Sequence, residues 1–146
     1  MFDTSFMEQT TSEVLDTERP RSEPGEYQAN VLEINVRDFY SERKEKTYVV
    51  MDIFWDVDDP KVKALLDSDS NRIRQTVFLD MNDSGTGLDF SKGKNTGLGK
   101  VRDAVGQNIP GQPWSPTMLI GGRATVRVEQ DENGYTNVTG CTKAAV

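Results

Sequence analysis

A mainly β fold, a small five-stranded barrel with one helix between its third and fourth strands, is predicted by three patterns in the chain. Tyr48 to Asp56 and Arg72 to Asp80 each alternate strictly, the two-residue period of a half-buried strand. Asp131-Glu132-Asn133-Gly134 sits between Arg123 to Gln130 and Tyr135 to Thr142, an Asn-Gly signal for a hairpin. Leu98, Val101 and Val105 recur instead at helical spacing, between those two pairs of strands.

In order, residues 1–24 read as an extended, flexible acidic arm ahead of one domain, residues 25–146. The arm is rich in Thr, Ser, Glu and Pro and closes on Arg19-Pro20-Arg21-Ser22-Glu23-Pro24. It carries too little apolar surface to offset its ordering entropy, although Phe2, Phe6, Val14 and Leu15 offer anchors on the body or on a neighbour. Tyr27 to Val36 is the first strand, with Leu32, Ile34 and Val36 on one face, and Arg37 to Lys46 is a charged connection. In the second strand Val49, Met51, Ile53 and Trp55 form the core face. Asp58 or Asp59 as cap, with Pro60 in the first helical position, starts a short helix from Lys61 to Leu66 between strands two and three. That helix turns Val62, Leu65 and Leu66 inward; Ile73, Val77 and Leu79 face the core from the third strand. A glycine-rich loop leads to the second helix, capped by Asn95 or Thr96 and stopped at Gly106. Pro110 to Pro116 is an irregular connection holding Trp114. Strand, strand, strand, helix, strand, strand is the element order of the OB-fold, a five-stranded, partly open barrel. A five-stranded sandwich with helical insertions is the competing architecture.

At 146 residues the chain is large enough for one domain with its own core. It has no 18-residue apolar run and no basic-then-apolar leader, so neither a membrane span nor a secretory signal is expected. The lone Cys141 can make no internal disulfide and is expected to be an inert buried thiol in a reducing, intracellular setting. There is no histidine, which excludes a Ser-His-Asp arrangement, and one cysteine cannot build a structural zinc site of the usual kind. Asp80-Met81-Asn82-Asp83-Ser84-Gly85 lacks the terminal glutamate of a calcium loop, and Asp56, Asp58 and Asp59 read as cap and turn residues rather than a magnesium site. No metal, no cofactor and no enzymatic activity are expected.

The net charge of −7 opposes nucleic acid at first sight. Residues 1–26, however, hold seven acids against two arginines, so the remaining 120 residues carry only −2. The face opposite the core sets rings beside guanidinium groups: Tyr48 and Phe54 on the second strand, Arg72, Arg74 and Phe78 on the third. The charged connection before them interleaves Phe39 and Tyr40 with Arg37, Arg43, Lys44 and Lys46. Single-stranded nucleic acid is held by this chemistry, bases stacking on rings while cations track phosphates. An OB barrel presents its ligand surface on strands two and three with the adjoining loops. Asp52, Asp56 and Asp80 share that face and either weaken phosphate contact or pair with the arginines. The segment Ser91 to Lys100 is not a phosphate loop, because its glycines are wrongly spaced and Val101 stands where a hydroxyl is needed. Lys92 and Lys94 can still assist one phosphate at the start of the following helix.

Three further segments carry a resemblance: Pro24-Gly25-Glu26-Tyr27, Gly93-Lys94-Asn95-Thr96-Gly97-Leu98-Gly99 and Ile120-Gly121-Gly122-Arg123-Ala124-Thr125-Val126. Through them residues 24–145 resemble a widespread, mostly uncharacterised family of tailed-phage proteins whose genes lie near replication and recombination genes. The resemblance implies an OB-fold single-stranded DNA-binding protein, acting in the cytoplasm of an infected bacterial host with phage replication proteins as partners. Such proteins typically end in an acidic tail that recruits other enzymes, whereas this sequence ends Thr142-Lys143-Ala144-Ala145-Val146 and is acidic at its N-terminus. Single-stranded DNA is therefore the expected ligand. The alternative is a non-enzymatic protein–protein module, a virion-associated structural protein or an inhibitor of a host system. In that case the arm lies across a neighbour, and a homo-oligomer is expected.

Overall fold

In the computed structural model, which describes residues 3–145, the elements are β1 Gly25–Ser41, β2 Lys46–Val57, α1 Pro60–Leu66, β3 Arg72–Leu79, α2 Thr96–Ala104, β4 Arg123–Gln130 and β5 Thr136–Lys143. Phe2, one of the apolar residues of the arm, lies outside the described residues, as do Met1 and Val146. The strands pair antiparallel in one open sheet ordered β3-β2-β1-β4-β5. The mainly β, five-stranded arrangement and the places of both helices are those the sequence implies. The sheet curls until Cα atoms of its two edge strands, β3 and β5, come within 8 Å of each other, yet no ladder joins them.

The first hairpin departs from expectation. Arg37 to Lys46 is not a loop: β1 continues to Ser41, β2 begins at Lys46, and only residues 42–45 turn. Arg37, Phe39 and Tyr40 pair with Val50, Tyr48 and Thr47. Alternating charged and aromatic residues suit strands that leave the core behind and face solvent on both sides. A bulge between Val31 and Glu33 resets the alternation of β1. Ala29 and Val31 are buried ahead of it and Ile34 packs on the core after it, whereas Leu32 and Val36 are exposed.

The helices follow local chemistry. The Asp59 carboxylate accepts the Val62 N–H and Pro60 opens α1. Only Val62 is buried, and Leu65, expected inward, is exposed because the narrow buried stripe of so short a helix runs from Val62 towards Leu66. Helix α2 buries Leu98, Val101 and Ala104 against the sheet. It ends in a Schellman motif, with Gly106 N–H donating to Asp103 O and Gln107 N–H to Arg102 O; Gly106 has φ +76°. Asn95 holds the cap position of α2 but does not cap it. Its side chain bonds the Asp80 N–H and the carbonyls of Asp80 and Asp89, while the Asp80 carboxylate accepts the Asn95 N–H at 2.8 Å. Of two 3-10 turns among the described residues, Ser5–Glu8 lies in the arm and Pro116–Leu119 buries Leu119 over Gly122, where a Cβ would stand 2.9 Å from Leu119 O and from Val105 Cγ1.

Trp55, Met51, Ile53, Val31, Val126 and Val128 are sealed between the curled sheet and α2. Inside this core the Trp55 indole N–H donates to Gln75 Oε1 at 2.9 Å, giving both buried polar groups a partner. The arm meets the body through its last residues rather than through its apolar ones. Phe6, Val14 and Leu15 are exposed, but Ser22 is fully buried. Its hydroxyl donates to Asp59 Oδ2 and accepts from Asn71 Nδ2, both at 2.8 Å. Ser22→Ala leaves the Asn71 amide short of a buried acceptor and is expected to lower unfolding free energy by about 1–3 kcal/mol. Urea denaturation measures it, and an unchanged midpoint would mean that the arm only drapes over the domain.

Candidate nucleic-acid interface

The register of β1, β2 and β3 lays out the face opposite the core as rows: Phe39 beside Tyr48; Arg37, Val50, Phe78; Asn35, Asp52, Thr76; Glu33, Phe54, Arg74; Asp56 beside Arg72. At the hairpin end three rings meet. Phe78 makes edge contacts with Tyr48 at 5.4 Å and with Phe39 at 6.1 Å between centroids, and Lys46 stands 5.1 Å over the Tyr48 ring. Phe78 is 54% exposed, so the cluster is open to solvent. At the other end the Arg72 guanidinium lies 4.0 Å over the Phe54 ring and donates to Glu33 at 2.9 Å. Arg74 stands exposed beside them, with no ion pair among the described residues.

Between the two ends Asp52 is buried in the middle of the face. Arg37 Nε donates to its Oδ2 at 2.6 Å and Thr76 Oγ1 to its Oδ1 at 2.7 Å, one partner from each neighbouring strand. Burial pushes the Asp52 carboxyl up, but the hydrogen bonds from Arg37 and Thr76 outweigh it and hold the group below the usual carboxylate range. Arg37 is thereby committed to a carboxylate. Asp56 accepts the Asn71 N–H and pairs with Lys63 at 3.2 Å, and Asp80 is taken by Asn95. The three aspartates expected on this face all have partners inside the protein, and Glu33, also on it, pairs with Arg72.

The face continues into a groove along the seam between β3 and β5. A hollow of about 320 Å³ under the hairpin is walled by Phe39, Tyr48, Phe78, Arg43 and Lys44. Phe78 also walls the central cleft, about 730 Å³, which Lys100 of α2 and Asn137 and Thr139 of β5 complete. Asn137 in turn borders a hollow of about 260 Å³ holding Phe54, Arg72, Arg74 and Tyr135. Arg72 and Thr136 open onto the last, about 420 Å³, beside Arg19 and Arg21 of the arm. From Arg72 to Phe78 the β3 wall alone is about 20 Å long. Seven cationic side chains and a single carboxylate, that of Asp80, line these four hollows.

Most residues singled out from the sequence converge here: Phe39, Arg43, Lys44, Lys46, Tyr48, Phe54, Arg72, Arg74 and Phe78. Tyr40 pairs with Thr47 and by alternation takes the opposite face of β1. Lys92 and Lys94 are exposed on the loop ahead of α2 and line none of the four hollows. Tyr135, Lys100, Arg19 and Arg21 were missed. Only Tyr135 has a sequence signal, a ring directly after the Asn-Gly turn; the others arrive through tertiary folding.

Burial raises the Cys141 thiol to about 11, so it is protonated at neutral pH. Among the described residues no cluster of three or more acidic or thiol ligands can hold a metal, and no helix is long and apolar enough to cross a membrane. No known protein-family profile matches the chain, and no curated protein matches it.

Arg37→Ala leaves the Asp52 carboxylate buried without its cation and is expected to lower the midpoint of urea unfolding. The folded Asp52 binds its proton less readily than the unfolded one. Its contribution is therefore present above about pH 3.9 and is lost as pH falls through the lower, folded value. Asp52→Asn should flatten acid denaturation in that window; an unchanged pH profile would remove the carboxylate from the account.

Proposed function

We propose that the chain is a non-enzymatic OB-type domain that binds single-stranded DNA for a phage replication and recombination module in the host cytoplasm. The observation that carries this reading is the groove's composition: seven cations to one carboxylate, with five rings, in a protein of net charge −7. A solvated surface of an acidic protein has no reason to segregate charge so strongly, whereas a groove that tracks phosphates and stacks bases requires it. The OB reading is supported by five antiparallel strands, a helix between β3 and β4, and two edge strands that approach without pairing. The phage context rests on the resemblance of residues 24–145.

Fluorescence anisotropy with a labelled single-stranded oligonucleotide tests it. Binding is expected at low salt, weaker to duplex. Phe78→Ala should lose about 1–3 kcal/mol through stacking, and Arg74→Ala should reduce the slope of log affinity against log salt by about 0.7. Lys92→Ala with Lys94→Ala should change little, because both lie off the groove. Absence of binding at low salt ends the reading.

A second reading, a protein–protein module, is favoured by the arm, where Val14 is 94% and Leu15 86% exposed. If a partner copy covers them, light scattering shows an oligomer that the Val14→Ser, Leu15→Ser double variant dissociates; a monomer in both proteins excludes self-association through the arm.

A further inference from the structure

The hollow at the arm end of the groove differs from the rest in having no aromatic ring in its wall, and it has no carboxylate. Arg19, Arg21 and Arg72 surround it, with the hydroxyls of Ser68, Ser70 and Thr136 between them. The Thr136 hydroxyl is buried and has no hydrogen-bond partner, the one such side-chain atom among the described residues. Leaving a buried hydroxyl unpaired is unfavourable; Thr136 borders this hollow, and turning its side chain to an acceptor seated there would relieve it.

The three guanidinium groups differ in availability. Arg19 makes no ion pair with any described residue. Arg21 is positioned by the Gly134 carbonyl and shared with Glu18, whose side chain is 69% exposed. Arg72 is shared with the exposed Glu33. Pairs at such exposed carboxylates are weak, so a doubly charged ligand can displace both acids at little cost. Forked guanidinium donors with hydroxyl donors between them match the tetrahedral oxygens of a phosphate, and no wall residue repels it.

We propose that this hollow is a phosphomonoester site, the terminal phosphate of a nucleic-acid strand being its ligand. The shared chemistry also admits free phosphate. The strand-end source rests on the single-stranded DNA reading; the pocket's affinity for phosphate does not. The arm is then part of the site, since it supplies Arg19 and Arg21.

The test uses the full chain and its Arg19→Ala and Thr136→Val variants. Titration calorimetry with inorganic phosphate is expected to show saturable binding that each variant weakens about tenfold. Anisotropy compares one oligonucleotide ending in phosphate or in hydroxyl, at either terminus. One phosphorylated end should bind wild type about tenfold more tightly, and that ratio of phosphate-ended to hydroxyl-ended affinity should fall to about one in Thr136→Val. Thr136→Val should melt no lower than wild type, because it removes an unpaired buried hydroxyl, so loss of binding is not loss of fold. Saturable phosphate binding without an end preference keeps the site and assigns it to free phosphate. If no oligonucleotide binds but phosphate does, the DNA reading fails and the site stands. No saturable phosphate binding and no end effect overturn the proposal.

Discussion

The groove exists because the sheet stops short of closing. β3 and β5 approach within 8 Å at their Cα atoms without sharing a ladder, and what keeps them near each other is the core beneath. Trp55, Val126 and Val138 pack there with Leu98 and Val101 of α2. Gln75, on β3, takes the Trp55 N–H and lies against Cys141 of β5. The Trp55–Gln75 hydrogen bond ties β2 to β3 beneath the cleft and fixes the Gln75 side chain on the β3 side of the seam, since both groups lose their water on burial. Complete pairing of β3 with β5 would replace the central cleft with ladder hydrogen bonds. A wider gap would expose the core. The cleft is the compromise, and every cationic wall described above opens onto it or continues it.

Asp52 sets the second constraint, on the face rather than at the seam. A carboxylate in the middle strand, bonded from β1 and β3 together, ties three strands at one height. It also divides the surface. Above it lie the three rings of the hairpin end; below it lies Phe54 under Arg72. An arginine that the sequence offered as a phosphate contact is consumed in the process, so the positive character of the face comes from Arg72, Arg74, Arg43 and Lys44. Of these, Arg74, Arg43 and Lys44 make no ion pair among the described residues, and Arg72 shares only the exposed Glu33, so charge left over after internal pairing is a better guide to this face than a count of arginines.

Period-two alternation made β3 readable almost residue by residue, because each of its residues is either core or solvent. The same logic failed in β1, where one extra residue at Val31 to Glu33 reverses the faces and no side chain announces it. It failed again at Arg37 to Ser41, where a strand without a core beneath it looks like a loop. The groove's near wall, on β2 and β3, could be read for the same reason that the strands could. Its far wall could not. Tyr135, Lys100 and the two arm arginines come from elements distant in sequence, and Asn95, expected to cap α2, instead spends its side chain on Asp80 and Asp89.

The two ends of the groove are prepared to different degrees. Phe39, Tyr48 and Phe78 hold one another edge to face, a preferred aromatic geometry, and leave Phe78 half open with no internal partner over it. A base can stack there without displacing anything. Phe54 is covered: the Arg72 guanidinium occupies its face and is held in turn by Glu33. Stacking on Phe54 requires Arg72 to leave, giving up a cation–π contact of about 0.5–1 kcal/mol and a weak surface pair. Arg72 borders both the hollow that holds Phe54 and the arm-end hollow. Under the proposed reading, one side chain links the ring and the hollow: a phosphate that drew Arg72 away would uncover Phe54 for a base.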